Sequence, residues 1–451
     1  MKIIINPVWS VVDSNIPLCR KLLQFKYLAY RKAEYGGSHE EWTKQCMDKD
    51  GVFLTGLVPK LVRQLKTRNI TVEYEVVKTA PTGIEPKLKV KKLYDYQLDA
   101  VKSAIARKRG VIHSSTGSGK TVIAMGIISA YPKHNILFIV PTIDLMTQTY
   151  REFVKEFDEM EVGIIGDGVF EPSRITVGII NSLYNHRLGN DYLHGLGITL
   201  VDECHRVSKL DGIYSKTLQQ IPATIRIGLT ATLPADTEAV YALEGNLGPV
   251  IYSVDRQGLT DTGRLAVPKI RILQIPIDAD VSNLKKYSDV YSEGVVNSHK
   301  RNGIIIDEIA KYVLEGRTCL VIVRLLEHGQ NLFDMIKMRY PKIRAYYAHG
   351  TTESEERERI RQELQARNMD VAITSTIWKE GVDIPSLNVV VNAAGSKSEL
   401  FCLQVVGRGM RAAPGKDEFI ILDFFDPSHH FLVSHFGYRI AMYFAQNWIK
   451  T

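Results

Sequence analysis

From Tyr94 onward the chain alternates short, β-branched apolar runs with stretches of helical periodicity. That is the pattern of parallel strands buried on both faces between flanking helices. A first series of runs reads GVIHSS, NILFIV, ITVGII, ITLVDE and IRIGLTA, and a second reads KIRILQIPI, CLVIVR, IRAYYAHG, VAITST, NVVVNAA and FIILDFF. Between them lies GPVIYSVDRQGLTDTGRLAVPK, whose glycines and prolines mark a boundary near residue 255. The pattern predicts an α/β chain with two tandem parallel-sheet domains, 86–255 and 256–451. The opening segment differs: FLTGLVPKLVRQLKTRNITVEYEV reads as a strand end, an amphipathic helix and a strand, so residues 1–85 are expected to form a small α+β domain. Within it FKYLAYRKAEY, residues 25–35, has aromatic and basic positions at near-helical spacing. It is expected to be an amphipathic helix with Phe25, Leu28 and Tyr35 inward and Arg31 and Lys32 outward.

Composition fits a globular protein, with 45% hydrophobic and 24% charged residues over 451 positions. Charge distribution adds more than the net value of +7. Residues 1–92 hold 17 Lys and Arg against 9 Asp and Glu, and the remainder holds 40 against 41. A basic N-terminal fifth on an almost neutral remainder points to polyanion contact at that end, with a solvated charged face as the alternative. The five cysteines form no C-x-x-C pair, so neither zinc nor a disulfide framework is expected. The start is too short an apolar run for a signal peptide, and no later run is long enough to cross a bilayer, so a cytoplasmic protein is expected.

Three segments carry chemistry. SSTGSGKT, residues 114–121, follows a predicted strand and opens a helical run, the context of a phosphate loop. Backbone N–H groups of Thr116, Gly117, Ser118, Gly119 and Lys120 can converge on phosphate oxygens there. Lys120 would reach the β- and γ-phosphates of ATP, and Thr121 would ligate Mg²⁺. The common form of the loop has Gly where this chain has Ser114. ITLVDECH, residues 198–205, ends an apolar strand in two carboxylates. Asp202 is expected to hold Mg²⁺ and Glu203 to orient and deprotonate the attacking water, with His205 near the domain cleft. In LFCLQVVGRGMRA, residues 400–412, Gln404, Arg408 and Arg411 recur at spacings of four and three and so share one helical face. An arginine pair on the second domain can stabilise the γ-phosphate held by the first.

These segments resemble motifs I, II and VI of helicase superfamily 2. LYDYQLDAV (93–101) resembles the segment before motif I, which implies that Gln97 reads the adenine edge and Tyr94 packs on the ring. VPTIDLMTQ (140–148) is similar to motif Ia, GIINSL (178–183) stands where the Ib/Ic region belongs, and VIVRLLEHG (321–329) is similar to motif IV. IGLTATL (227–233) resembles motif III, which implies that Thr230 and Thr232 link hydrolysis to the nucleic-acid track. TSTIWKEGVDIP (374–385) resembles motif V, with Ser375 and Thr376 on backbone phosphates and Gly381 and Asp383 facing the ribose. The candidates for the sequence-independent track are Thr142, Ser182, Arg324, Ser375 and Thr376. A lone Ser or Thr at a strand end is more often a helix cap than a ligand.

The resemblance spans about residues 90–425 in the correct order. IGLTATLPAD, GPVIY, GRLAVP and the RN of SHKRNGIII resemble the XPB-like DNA helicases, and EGVDIP is similar to RecG. The layout, a small basic N-terminal domain before a compact motor, is similar to the UvsW-type branch-migrating helicases of tailed phages. Departures are Ser114, Ser375 where Thr is common, and Cys204 in motif II. None removes a group the chemistry needs. The resemblance implies two tandem RecA-like domains and an ATP- and Mg²⁺-dependent, monomeric motor that unwinds or branch-migrates DNA forks and four-way junctions. Replication, recombination or repair would be its setting, in the host cytoplasm for a phage protein. A double-stranded DNA translocase without strand separation and an RNA helicase are the alternatives.

Overall fold

The computed structural model describes the chain except residues 34–35, 116, 186–189, 255–267, 350–351, 376–383, 385, 397–417, 446–447 and 450–451, with backbone alone at 28–33, 36–40, 190–191, 354 and 445. Two compact units result, Met1–Arg256 and Gln257–Thr451.

The N-terminal part of the first unit is a small sheet of β1 (Lys2–Ile5), β2 (Trp9–Val12), β5 (Val52–Leu54) and β6 (Glu73–Val76), in the order β5-β2-β1-β6. It is covered by the helix Val58–Lys66, in which Val58, Leu61, Val62 and Leu65 recur at helical spacing and are all buried. Pro59 sits in the first turn, where its missing N–H breaks no hydrogen bond. The described part of segment 25–35, residues 25–33, is not the expected helix. Gln24–Ala33 forms β3, paired antiparallel with β4 (Gly36–Gln45) from Gln24↔Gln45 to Ala33↔Gly36. Its aromatic residues favour a pleated strand over a helix, and side chains alternate, Phe25 buried and Lys26 exposed. Phe25 does point inward, its ring centroid 4.8 Å from that of Tyr241. Tyr241 belongs to the motor part of this unit, and it joins the core built on Ile3, Leu23, Phe53 and Leu61.

The motor part carries β7 (Arg109–Ser114), β8 (Asn135–Val140), β9 (Val162–Gly166), β10 (Val169–Glu171), β11 (Ile175–Ile179), β12 (Leu196–Asp202), β13 (Ile225–Thr230) and β14 (Val250–Val254), ordered β10-β9-β11-β8-β12-β13-β7-β14. Only the β9–β10 pair is antiparallel. All five expected runs are strands. β14 lies inside the stretch read as a linker, because the Gly-Pro turn signal before it masked a short edge strand. The order places β13 between β7 and β12, so the carboxyl ends of the three motif-bearing strands are neighbours, where ligands bind in open α/β sheets. The segment leading into this part is strapped down by Glu156, 2% exposed, whose carboxylate accepts backbone N–H groups of Lys89, Val90 and Lys91.

In the second unit β15 (Lys269–Gln274), β16 (Cys319–Ile322), β17 (Ala345–Ala348), β18 (Val371–Thr374), β19 (Val389–Asn392) and β20 (Ile420–Phe425) form an all-parallel sheet, β15-β20-β19-β16-β18-β17. A buried polar network backs it: Arg301 donates to Asp426, while Arg439 donates to Asp423, to the Phe424 carbonyl and to the Gly395 carbonyl at 2.8 Å. Arg301 is the arginine of SHKRNGIII. Among the described residues no helix is long and apolar enough to cross a membrane.

Candidate nucleotide and nucleic-acid site

The phosphate loop joins the end of β7 to the helix Lys120–Ser129, whose N-cap Gly119 has φ +80°. A side chain is unfavourable at that angle, and a Cβ there would lie 2.5 Å from Gln97 Nε2. Ser114, the departure from the common loop, is fully buried and bonded through its hydroxyl to that of Ser118, so it braces the loop from beneath. Two further braces come from the preceding helix: Tyr96 donates its hydroxyl to the Ser118 carbonyl at 2.7 Å, and Gln97 Nε2 donates to the same oxygen at 2.9 Å. Gln97 Oε1 also accepts the Tyr94 N–H, at 3.0 Å, and the side chain is 3% exposed. In this structure Gln97 thus supports the loop, whereas Tyr94 presents an exposed ring stacked on Tyr96. Tyr96 was not singled out in the sequence; its place in the Y-D-Y-Q stretch, one residue before Gln97, was the available signal.

Lys120 and Glu203 meet above the loop, Nζ to Oε1 at 3.4 Å. Glu203 follows Asp202, the last residue of β12, and sits at φ +46°, a left-handed angle that costs a non-glycine residue roughly 1–2 kcal/mol. Such strain concentrates at functional sites. His205 extends the chain: Nδ1 is 3.3 Å from Glu203 Oε2 and 3.0 Å from Thr230 Oγ1. Thr230, at the end of β13, donates to the Thr232 carbonyl at 2.9 Å and accepts the Thr232 N–H at 3.1 Å. The loop lysine, Glu203, the histidine and two threonines, 112 residues apart along the chain from Lys120 to Thr232, are one connected array. Cys204, between Glu203 and His205, points into the core, where burial raises its thiol pKa well above the ordinary value. A Cβ on Gly228 of β13 would meet its sulfur at 2.6 Å, so glycine in motif III and a small residue in motif II belong together.

The residues suit a triphosphate and a divalent cation. The Ser115 hydroxyl is buried without a hydrogen-bond partner among the described residues, in the loop whose backbone would cradle phosphates. Thr121, in the first helical turn, and Asp202, 8% exposed, supply the oxygens that Mg²⁺ prefers.

The track candidates divide. Thr142 caps the helix Ile143–Glu156, its hydroxyl accepting the Leu145 N–H at 3.4 Å. Ser182 is half-buried in the helix Ile180–Asn185. Ser375 is 5% exposed. Arg324 is exposed, donating to the Tyr287 hydroxyl at 3.2 Å and lying 5.3 Å from the Tyr291 ring centroid. Thr116, Thr376, Gly381, Asp383, Gln404, Arg408 and Arg411 lie outside the described residues.

Comparison with known proteins places this geometry in a family. Residues 90–235 match the family described as "Type III restriction enzyme, res subunit", and residues 302–413 match "Helicase conserved C-terminal domain". The chain is 28% identical to the DNA 3'-5' translocase XPB2 of Sulfurisphaera tokodaii over 384 residues, 76% of this chain and 84% of that protein. It is 25% identical to the ATP-dependent DNA helicase uvsW of Enterobacteria phage T4 over 355 residues, 73% of this chain and 68% of the relative. The solved structure of Mycobacterium smegmatis helicase Lhr bound to ssDNA and AMP-PNP matches with TM-score 0.55 and 18% identity, over 75% of this chain and 46% of that one, which shows the shared fold. The fold is that of two tandem RecA-like domains with a small N-terminal domain. The chain belongs to helicase superfamily 2, with a relationship to its UvsW-like members.

Proposed function

We propose that the protein is an ATP-dependent DNA helicase that unwinds or branch-migrates forked and four-way DNA. The observation that carries the hydrolytic part is the connected array Lys120–Glu203–His205–Thr230 on the adjoining ends of β7, β12 and β13. In this reading Lys120 and the loop amides hold the phosphates, and Glu203 takes the proton of the attacking water. Mg²⁺, held by Thr121 and Asp202, would neutralise charge developing between the phosphates. Arg408 and Arg411, with Gln404, would complete the site from the second domain. Gly381 and Asp383 would face the ribose. His205 touches both Glu203 and Thr230, so a shift of the threonine strand end on nucleic-acid binding moves the base that activates water. Support for DNA comes from the relatives, named a DNA translocase and a DNA helicase.

The reading makes residues 1–85 an accessory DNA-binding domain, because a track of hydroxyls and amides contacts only the backbone and does not by itself tell a junction from a linear strand. The motor is read as a monomer. The test is ATP turnover by the full chain with single-stranded DNA, duplex, fork, four-way junction and RNA at one salt concentration. Stimulation ranking branched DNA above linear DNA, and DNA above RNA, is expected; equal or greater stimulation by RNA would overturn the DNA assignment.

A further inference from the structure

The N-terminal part and the motor part of the first unit meet along an interface with two unlike edges. One edge is closed by matched charges: Lys44–Glu238 and Lys60–Glu244, both at 2.6 Å, with Lys60 also 4.5 Å above the Tyr241 ring. The other opens into a cleft of about 890 Å³ between the turn after β1, the helix Val58–Lys66, the segment leaving β6, and the start of β7 and β14. Among the described residues five cations line it, Arg63, Lys78, Arg107, Lys108 and Arg109, and no carboxylate does. Arg109 is part of the frame, donating to the carbonyls of Pro7 and Asn246 and so clasping the two parts together. Burial lowers its pKa to about 10, which leaves it cationic at neutral pH. The side chains of Arg63, Lys78, Arg107 and Lys108 make no hydrogen bond or ion pair among the described residues.

Four unmatched cations around an open cleft attract a polyanion. Among the described residues no aromatic side chain lines it, so these residues offer no stacking platform of the kind on which unpaired bases are held. Its position matters too. Arg109 begins β7 and Ser114 ends it, so the cleft lies about 16–20 Å from the phosphate loop, at the opposite end of the sheet.

We propose that this cleft grips the sugar-phosphate backbone of a duplex DNA arm, as a second DNA contact separate from the motor track. The proposal rests on the reading of the substrate as branched DNA, and it locates the branch-holding surface between the N-terminal domain and the motor rather than on the N-terminal domain alone. Contacts of this kind are independent of sequence and sensitive to salt.

The test uses the full chain with Arg63→Ala, Lys78→Ala, Arg107→Ala and Lys108→Ala combined, and a second protein with Arg63→Lys and Arg107→Lys. Binding to plain duplex and to a four-way junction is measured over a salt series. The alanine protein is expected to lose about three to four from the slope of log K against log salt, at about 0.9 per phosphate contact. Its turnover at saturating single-stranded DNA is expected to stay unchanged, and the lysine protein is expected to keep the parent slope, which a purely structural role would not ensure. An unchanged slope in the alanine protein overturns the proposal. So does a nucleotide that still binds Lys120→Ala protein and is lost on adding the cleft substitutions, because the cleft would then be a small-nucleotide site. A parent protein that does not rank branched over linear DNA defeats the branched-substrate reading, while the salt slope on plain duplex still decides the cleft.

Discussion

The two ends of the first motor sheet are built on opposite principles. At the carboxyl ends of β7, β12 and β13, Lys120, Glu203, His205 and Thr230 are already engaged with one another. At the amino end of β7, Arg107 and Lys108 stand beside Arg63 and Lys78 with no partner among the described residues. An interlocked array holds reacting groups in place, as chemistry requires. Unmatched cations hold nothing until a polyanion arrives, as binding requires. The contrast teaches that catalysis and substrate retention can occupy one sheet and still be separable by mutation.

The largest effects are expected on hydrolysis. Arg408→Ala is expected to slow hydrolysis by ~10³-fold with near-native melting and ATP binding retained. Unfolding with loss of ATP binding would instead make Arg408 a structural ion-pair partner. Glu203→Gln is expected to bind nucleotide and lower turnover by ~10²-fold or more, the scale of a general base. Near-normal single-turnover hydrolysis would remove Glu203 from that role.

The frame between the ends gives a smaller effect. Arg109→Ala removes charged hydrogen bonds to the Pro7 and Asn246 carbonyls and is expected to destabilise the first unit by about 2 kcal/mol in denaturant titration. Unaltered stability would show that the clasp is dispensable. The smallest effect is expected at the matched edge, where Lys60 and Glu244 are each about a quarter exposed. Lys60→Ala is expected to change stability by less than about 1 kcal/mol and to leave the salt dependence of DNA binding intact. A drop in that slope comparable to the cleft variant would erase the distinction between the two edges.

The carboxyl end was legible in the sequence because its chemistry sits in contiguous segments after apolar runs. Strands buried on both faces read as unbroken Val, Ile and Leu, so all the central strands appeared before the structure did. Segment 25–35 misled because its spacing suits a helix locally, and its partner GGSHEEWTKQ is too polar to read as a strand until the pairing is seen. Ser114 read as a departure from the loop pattern, but only the fold showed its hydroxyl bracing Ser118. The cleft was illegible for a different reason. Positions 63, 78 and 107–109 are brought together by docking of the N-terminal sheet, and no local pattern encodes that.

The separation of the two ends is tested most directly by one side-by-side measurement on full-length proteins at a single salt concentration: four-way-junction affinity and ATP turnover at saturating single-stranded DNA, for Glu203→Gln and for the fourfold alanine cleft variant. The expected result is crossed, with Glu203→Gln binding the junction like the parent while failing to turn over, and the cleft variant turning over like the parent while losing junction affinity. Parallel loss of both properties in both proteins would contradict the division of labour.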